Sequence, residues 1–394
     1  MRIAYCVTHP IQYQVPLIRH LLAGGVDLEV VYATDITAHG YRDTGFGAQV
    51  TWDVPLLEGY PYRVLFPKDP VPAGLKWFGR YRTALRVALD DIQPEIVWVH
   101  GWGNAYPLAA LRVANCANLP VLMRGETYLD SPHRCTLLRM ARQMLLSLVF
   151  RGVSRFLAVG SANREYYCSH GVPDERIDLV PYAVDNGFFQ QRCRAAAPFR
   201  EKLRQELDIE QGRPIILFCA KLIEVKDPTT LIRAVGKMNP EGKASTPLLL
   251  MVGEGELRPA LEALAEQVAP GRVRFLGFRN QTELPAFYDL CDLFVLPSVF
   301  EPWGLVVNEV MNAGRPVIVS DKVGAGHDLV KPGINGDVFL AGNVDDLQAR
   351  MSPWLEDAEL RSRGGRESLR IINGWGFDQG LAGLNAAINA LNLK

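Results

Sequence analysis

Two glutamates eight residues apart, Glu301 and Glu309, are the residues whose types and spacing speak most directly of chemistry. They lie in Leu296-Pro-Ser-Val-Phe-Glu-Pro-Trp-Gly-Leu-Val-Val-Asn-Glu309, where an apolar strand ends, a short loop follows and a helix begins near Gly304. Glu301 then stands just before the helix and Glu309 two turns inside it, roughly 12 Å away at 1.5 Å per residue. Carboxylates are strong acceptors for hydroxyl groups. The first N–H groups of a helix have no partner within it and favour an anion. Gly304 lacks a Cβ, so a ligand can approach the backbone there. The segment therefore suits a ligand with hydroxyls at both ends and a phosphate between them. Read without their surroundings, the same glutamates would be a helix cap and a solvated surface acid.

A second group of charges supports the first. Lys221 leaves the end of the apolar run Ile215–Ala220, and Lys226 precedes the helix that Pro228 opens. Two cations in one strand–helix loop can neutralise a diphosphate and stabilise it as a leaving group. Gly253-Glu254-Gly255 follows another strand and opens another helix, and a tight turn explains it equally well. His100 closes Val97-Trp-Val-His100, again at a strand end, although a lone histidine is more often structural.

These positions need strands that all point one way. Ile3–Val7, Leu28–Tyr32, Ile96–His100, Val121–Met123, Phe156–Val159 and Ile177–Val180 read as buried strands with helix-length segments between them. The pattern pauses over 185–214, where Arg200–Leu207 reads as a charged helix. It resumes with Ile215–Ala220, Leu248–Val252, Val273–Leu276, Leu293–Leu296 and Val317–Val319. Strands separated by helical crossovers imply parallel sheets covered on both faces. The expected fold class is α/β, with two Rossmann-like domains facing a cleft. Residues 1–190 form the N-terminal domain, on the acceptor side. Residues 191–374 form the donor-binding domain, and 375–394 a helix placed to cross back to the first domain. Ligands of such sheets bind beyond the carboxyl ends of the strands.

Glu301 through Glu309 is similar to the E-x7-E motif of retaining GT-B glycosyltransferases. Phe275-Leu-Gly-Phe278, Met311-Asn-Ala-Gly-Arg-Pro-Val-Ile318 and Gly333-Ile-Asn-Gly336 also resemble glycosyltransferase family 4. The resemblance covers the second domain well and the first more loosely. It implies a retaining, metal-independent transferase, of the hexosyl class, that takes a nucleotide-diphosphate sugar as donor and needs no further cofactor. By the same resemblance Glu301 holds hydroxyls of the transferred sugar and Glu309 the ribose. The backbone at Trp303, Gly304 and Leu305 contacts sugar and phosphates, Lys221 and Lys226 the diphosphate, Gly253 and Glu254 the base, and His100 the sugar. Family members commonly carry arginine where Lys221 stands, phenylalanine at Trp303 and histidine at Arg124. A hydrolase or epimerase of the same fold, or a sugar-nucleotide-binding protein without chemistry, are the competing readings. The first would lean on additional acid–base groups, of which only His100 and Glu126 offer themselves. The second would be expected to lose a key acid.

The rest of the sequence bounds the setting. Forty-two basic and forty-three acidic residues leave a net charge of -1, which gives no global reason for nucleic-acid binding. Seven cysteines without a CxxC pair fit a reduced compartment. Neither a signal peptide nor a membrane span is expected, which points to the cytoplasm. The loop Thr8-His-Pro-Ile-Gln-Tyr-Gln14 carries bulky polar groups where the family often has a glycine pair. His9, Gln12 and Tyr13 therefore become candidates for acceptor contact, beside the reading of a packed surface loop. Residues 134–151 are basic and apolar at helical spacing. They read as a helix lying on an anionic membrane, peripheral on its inner face, or as one packed on its own sheet with arginines snorkelling. A glycan or lipid-linked acceptor would suit the first of these.

Overall fold

The computed structural model describes residues 1–43, 48–50, 52–128, 136–238 and 246–391, with backbone alone at 41–43, 48–50 and 136–142. The chain divides into two units. The first comprises Met1–Tyr41, Val54–Ala183 and Gly376–Lys394, and the second Arg42–Asp53 and Val184–Trp375.

The first unit is built on a seven-stranded sheet whose pairings are all parallel. Its order is Tyr62–Val64, Asp27–Tyr32, Arg2–Val7, Ile96–His100, Val121–Arg124, Arg155–Ala158 and Ile177–Leu179. The inner strands are buried on both faces, with Ile3, Val97, Trp98, Val99 and Leu122 at or near zero exposure, which is why they read as unbroken apolar runs. Strand order reverses between Arg2–Val7 and Ile96–His100. That switch point is where a parallel sheet opens a crevice for a ligand. The helix Phe377–Asn389 belongs to this unit, against Ile177–Leu179 and the helix Gln14–Ala23.

The second unit repeats the plan with six parallel strands. Their order is Val273–Gly277, Leu248–Val252, Ile215–Cys219, Leu293–Leu296, Val317–Ser320 and Gly336–Phe339. Its switch point falls between Ile215–Cys219 and Leu293–Leu296. A core of its own gathers Phe218, Leu231, Met251, Val295 and Trp354.

Several strands escape the sequence reading. Tyr62–Val64 and Gly336–Phe339 are edge strands of three and four residues, too short for an apolar run to declare them. Tyr41–Asp43 and Ala48–Val50 form a separate two-stranded sheet. Between 185 and 214 the chain is helical, over Asn186–Ala196 and Arg200–Glu206.

Candidate functional site

The two strands at the second unit's switch point deliver the charges that the sequence singles out. Lys221 and Lys226 follow Ile215–Cys219, and Glu301 follows Leu293–Leu296. The loops are zipped together by their backbones: Val299 N–H donates to the Val225 carbonyl at 2.9 Å, and Glu301 N–H to the Lys322 carbonyl at 3.0 Å. Lys226 Nζ is ion-paired with Glu301 Oε2. Lysine and glutamate are 20% and 12% exposed, so the pair is sheltered yet open at one side. Lys221 is half-buried in the same loop.

Gly304 sits at the N-cap of the following helix with a φ of 92°, a left-handed conformation that favours glycine. A side chain there would also crowd Leu296 Cδ2 at 3.0 Å and Glu301 Cγ at 3.2 Å. The helix is shorter than its sequence suggests, Leu305–Met311, and begins one residue after Gly304. Glu309 is its fifth residue and so lies just over one turn inside it, not two. The Trp303 side chain turns inward. It is 4% exposed, donates from Nε1 to Asn308 Oδ1 at 2.9 Å, and stacks on Trp375 at 5.6 Å between centroids.

Glu309 is 1% exposed, and the Tyr288 hydroxyl donates to its Oε2. Contact with a ribose therefore requires the groups that cover it to move. Nothing in the sequence marks Tyr288, which reads as one more apolar residue of the helix Leu284–Leu290. Gly253 and Glu254 face the lysine loop through their backbones. The Leu222 N–H donates to the Glu254 carbonyl at 2.8 Å, and a Cβ on Gly253 would lie 2.0 Å from the Ala220 carbonyl oxygen. This close approach explains the glycine without a ligand. The Glu254 side chain pairs with Arg258.

In the first unit His100 ends its strand at the switch point, 12% exposed, within a hydrogen-bonded cluster. The Tyr5 hydroxyl lies 3.1 Å from His100 Nδ1, Gln14 Nε2 3.0 Å from His100 Nε2, and Glu126 Oε1 3.6 Å from the same nitrogen. The Tyr182 hydroxyl donates to Glu126. Burial works against the charged form of Glu126. The hydrogen bonds and charge of His100, the Tyr182 hydroxyl and the Arg124 charge outweigh it and hold the carboxyl below its ordinary range. Burial and the neighbouring His100 push the His9 imidazole down. Arg124 is fully buried; its Nη2 donates to the carbonyls of Val180 and Pro181, each at 3.0 Å. It is thus placed to support Tyr182, over whose ring its guanidinium lies at 5.0 Å. Gln12 is buried, and His9 and Tyr13 are half-buried.

Among the described residues no group of three or more His, Cys, Asp or Glu could hold a metal ion. None of their helices is long and apolar enough to cross a membrane.

Comparison with known proteins agrees with the two-unit fold. Residues 11–183 match the model of a glycosyl transferase 4-like domain, and residues 199–369 that of glycosyl transferases group 1. An uncharacterized glycosyltransferase of Methanocaldococcus jannaschii is 30% identical over 225 residues, 56% of this chain and 51% of that protein. An N,N'-diacetylbacillosaminyl-diphospho-undecaprenol alpha-1,3-N-acetylgalactosaminyltransferase of Campylobacter jejuni is 26% identical over 239 residues, 60% of each chain. The chain spans about half the length of most relatives that it matches. The crystal structure of Anabaena HepE with UDP and glucose superposes with a TM-score of 0.72 at 17% identity, covering 99% of this chain and 100% of that one. With two parallel α/β units of this topology and a glycosyltransferase model matched over each, the chain belongs to the GT-B glycosyltransferases.

Proposed function

We propose that the protein transfers a sugar from a nucleotide-diphosphate sugar to a glycan or lipid-linked acceptor, with retention of anomeric configuration. The observation that carries the reading is the Lys226–Glu301 pair at the second unit's switch point, which joins the loop bearing Lys221 and Lys226 to the backbone-bonded loop bearing Glu301. A carboxylate for sugar hydroxyls and two cations for a diphosphate are thereby held by neighbouring loops. Glu301 accepts from hydroxyls of the donor sugar, while Lys221 and Lys226 face the diphosphate. As the bond from the anomeric carbon to the phosphate oxygen breaks, the leaving group gains charge, and the two lysines stabilise it. The acceptor hydroxyl bonds to the anomeric carbon on the face that the diphosphate leaves, and its proton passes to the departing phosphate. Gly304 leaves room for the donor at the helix start, beside the backbone of Trp303 and Leu305. Glu309 serves the ribose, and Gly253 and Glu254 the base. His100, oriented by Tyr5, Gln14 and Glu126, serves as a sugar-binding residue.

The Campylobacter relative is named for an acceptor carried on diphospho-undecaprenol, and HepE was solved with UDP and glucose. Those names favour a uridine donor and a lipid-linked acceptor for this chain as well. The test is to incubate the protein with a panel of nucleotide sugars, each alone and with lipid-linked and free glycan acceptors. Sugar should appear on an acceptor, and Glu301→Ala should nearly abolish its appearance in a protein that remains folded. Release of free sugar from donor alone, at the same rate with or without acceptor, would instead mark a hydrolase. Donor binding without turnover would mark a binding protein. Normal transfer by a folded Glu301→Ala variant would remove Glu301 from the site.

A further inference from the structure

The helix that carries Glu309 does not hold itself in place. It runs for only seven residues, Leu305–Met311, and isolated helices so short are unstable in water. Its position is therefore set by what it packs against. Two of the side chains that pack it are amides. Asn308 is fully buried, and Asn312, at the C-cap, is 3% exposed. A buried amide costs stability unless it is hydrogen-bonded, and an apolar side chain would fill the space without that demand.

These amides belong to a closed ring within the second unit. Trp303 Nε1 donates to Asn308 Oδ1 at 2.9 Å. One turn on, Asn312 Nδ2 donates to the Asn308 carbonyl at 2.9 Å and to Asn186 Oδ1 at 2.8 Å. Asn186 opens the helix Asn186–Ala196, and its Nδ2 donates to the carbonyls of Ile372 at 2.9 Å and Trp375 at 3.3 Å. Trp375 stacks on Trp303, with ring planes 12° apart, and closes the ring. Gln190 braces it from the side, donating to Asn312 Oδ1 at 2.9 Å and Asn373 Oδ1 at 2.8 Å. In Asn186 and Asn312 alike the nitrogen donates twice and the oxygen accepts once, so neither amide is asked to do what it cannot.

Apolar burial has no direction, whereas a satisfied polar network fixes one arrangement. Trp303 directly precedes Gly304, and Asn308 directly precedes Glu309. The ring thus grips the chain beside both positions assigned above to the nucleotide. We propose, on that donor reading, that Asn186, Asn308, Asn312 and Trp375 are positioning residues: acting through Trp303 and the short helix, they hold the helix start at Gly304 and the Glu309 carboxylate in the arrangement that binds diphosphate and ribose.

The experiment is calorimetric binding of nucleoside diphosphates to the whole protein, well below the melting temperature of every variant. UDP, GDP, ADP, CDP and TDP are offered to wild type, and the one bound most tightly is used throughout. Trp303→Phe keeps the aromatic stack and removes the indole N–H. It should weaken binding about threefold to tenfold, as expected for one net hydrogen bond. Asn186→Ala cuts the ring on a different helix and should weaken binding by a similar factor. Because both open one ring, the double variant should lose less than the product of the two. Trp375→Ala should weaken binding as well, and Trp375→Phe, which restores an aromatic face, should recover most of the loss. That pair decides the matter if Asn186→Ala fails to fold. Gly383→Ala in the first unit is the control for lost stability alone, since its Cβ would meet the Leu179 carbonyl oxygen far from any member of the ring in sequence. It should bind as wild type does. Wild-type affinity in folded Trp303→Phe and Trp375→Ala, no recovery in Trp375→Phe, fully multiplicative effects in the double variant, or equal weakening by Gly383→Ala would each overturn the proposal and leave the transfer reaction untouched. A wild type that binds none of the five diphosphates would overturn it together with the donor reading.

Discussion

Lys226 and Glu301 share one ion pair, so removing either side chain leaves the other sheltered and uncompensated. Hydrogen bonds to charged groups are worth about 1.5–3 kcal/mol, and 1.4 kcal/mol is a factor of ten. Lys226→Ala and Lys221→Ala should each lower kcat/KM roughly tenfold to a hundredfold, with part of the loss in kcat because the leaving group gains charge. On the proposed reading both act on one ligand, so steady-state kinetics of the double variant should depart from additivity. Lys221→Arg should stay active. Normal turnover by both alanine variants would return the lysines to the surface. The His100 cluster supports a prediction about pH. The folded state holds the Glu126 carboxyl below its ordinary range. A depressed carboxyl stabilises the fold above its unfolded pKa and loses that effect as the pH falls through the folded one. Urea titrations should therefore find wild type more stable than Glu126→Gln near neutral pH, with the gap closing below about pH 4.5. A gap that is constant across that range would show that Glu126 is not linked to folding through its charge. The sequence displays Glu301, the lysines and His100 because each follows an apolar strand. It hides Tyr288, Tyr5 and Tyr182, whose roles arise from partners 21, 95 and 56 residues away.

Elements inherit their legibility from length and burial. Inner strands such as Ile96–His100 are buried throughout most of their length and announce themselves as apolar runs. Edge strands such as Tyr62–Val64, with a mostly half-exposed pattern, do not. The C-terminal helix can be read from its periodicity, but its seat cannot, because a long-range approach of backbones leaves no local trace. That seat is tight: a Cβ on Gly383 would lie 1.9 Å from the Leu179 carbonyl oxygen and 2.9 Å from its carbon. Backbone of a paired strand cannot yield as a flexible side chain would. Leu384 and Ala387 of the same helix have no exposure, so tilting the helix away would uncover apolar surface. Gly383→Ala should accordingly destabilise the protein by about 1–3 kcal/mol, despite alanine's better helix propensity. Denaturant unfolding followed at the first unit checks this. A neutral or stabilising effect would mean that helix and strand are not packed this closely.

At the scale of the whole molecule, two successive strand series make two α/β units readable from the sequence, but not the assignment of every segment. Arg42–Asp53 joins the second unit, where Trp52 meets Phe278 edge-on at 6.5 Å and Asp53 accepts from the Thr282 N–H at 3.0 Å. No composition shift marks that excursion. The charge balance is likewise global information with a local consequence. A chain of net charge -1 has no global attraction for a diphosphate, which on the proposed reading meets Lys221 and Lys226 locally, at the second unit's switch point. Binding there stabilises the native state by RT ln(1 + [L]/Kd), about 2.7 kcal/mol at a hundred times Kd. For a unit of this size that corresponds to a rise of about 5–10 °C in Tm. Among a panel of free nucleoside diphosphates, the one carrying the donor's base should produce this rise. On the proposed reading lysine charge takes the place of a divalent ion, so the rise should survive excess EDTA, and so should transfer activity. Lys226→Ala should shrink the rise at the same ligand concentration, since its weaker binding lowers [L]/Kd. A shift that appears only when magnesium or manganese is added, and that Lys226→Ala leaves unchanged, would show that the diphosphate is held by a metal ion and not by these lysines.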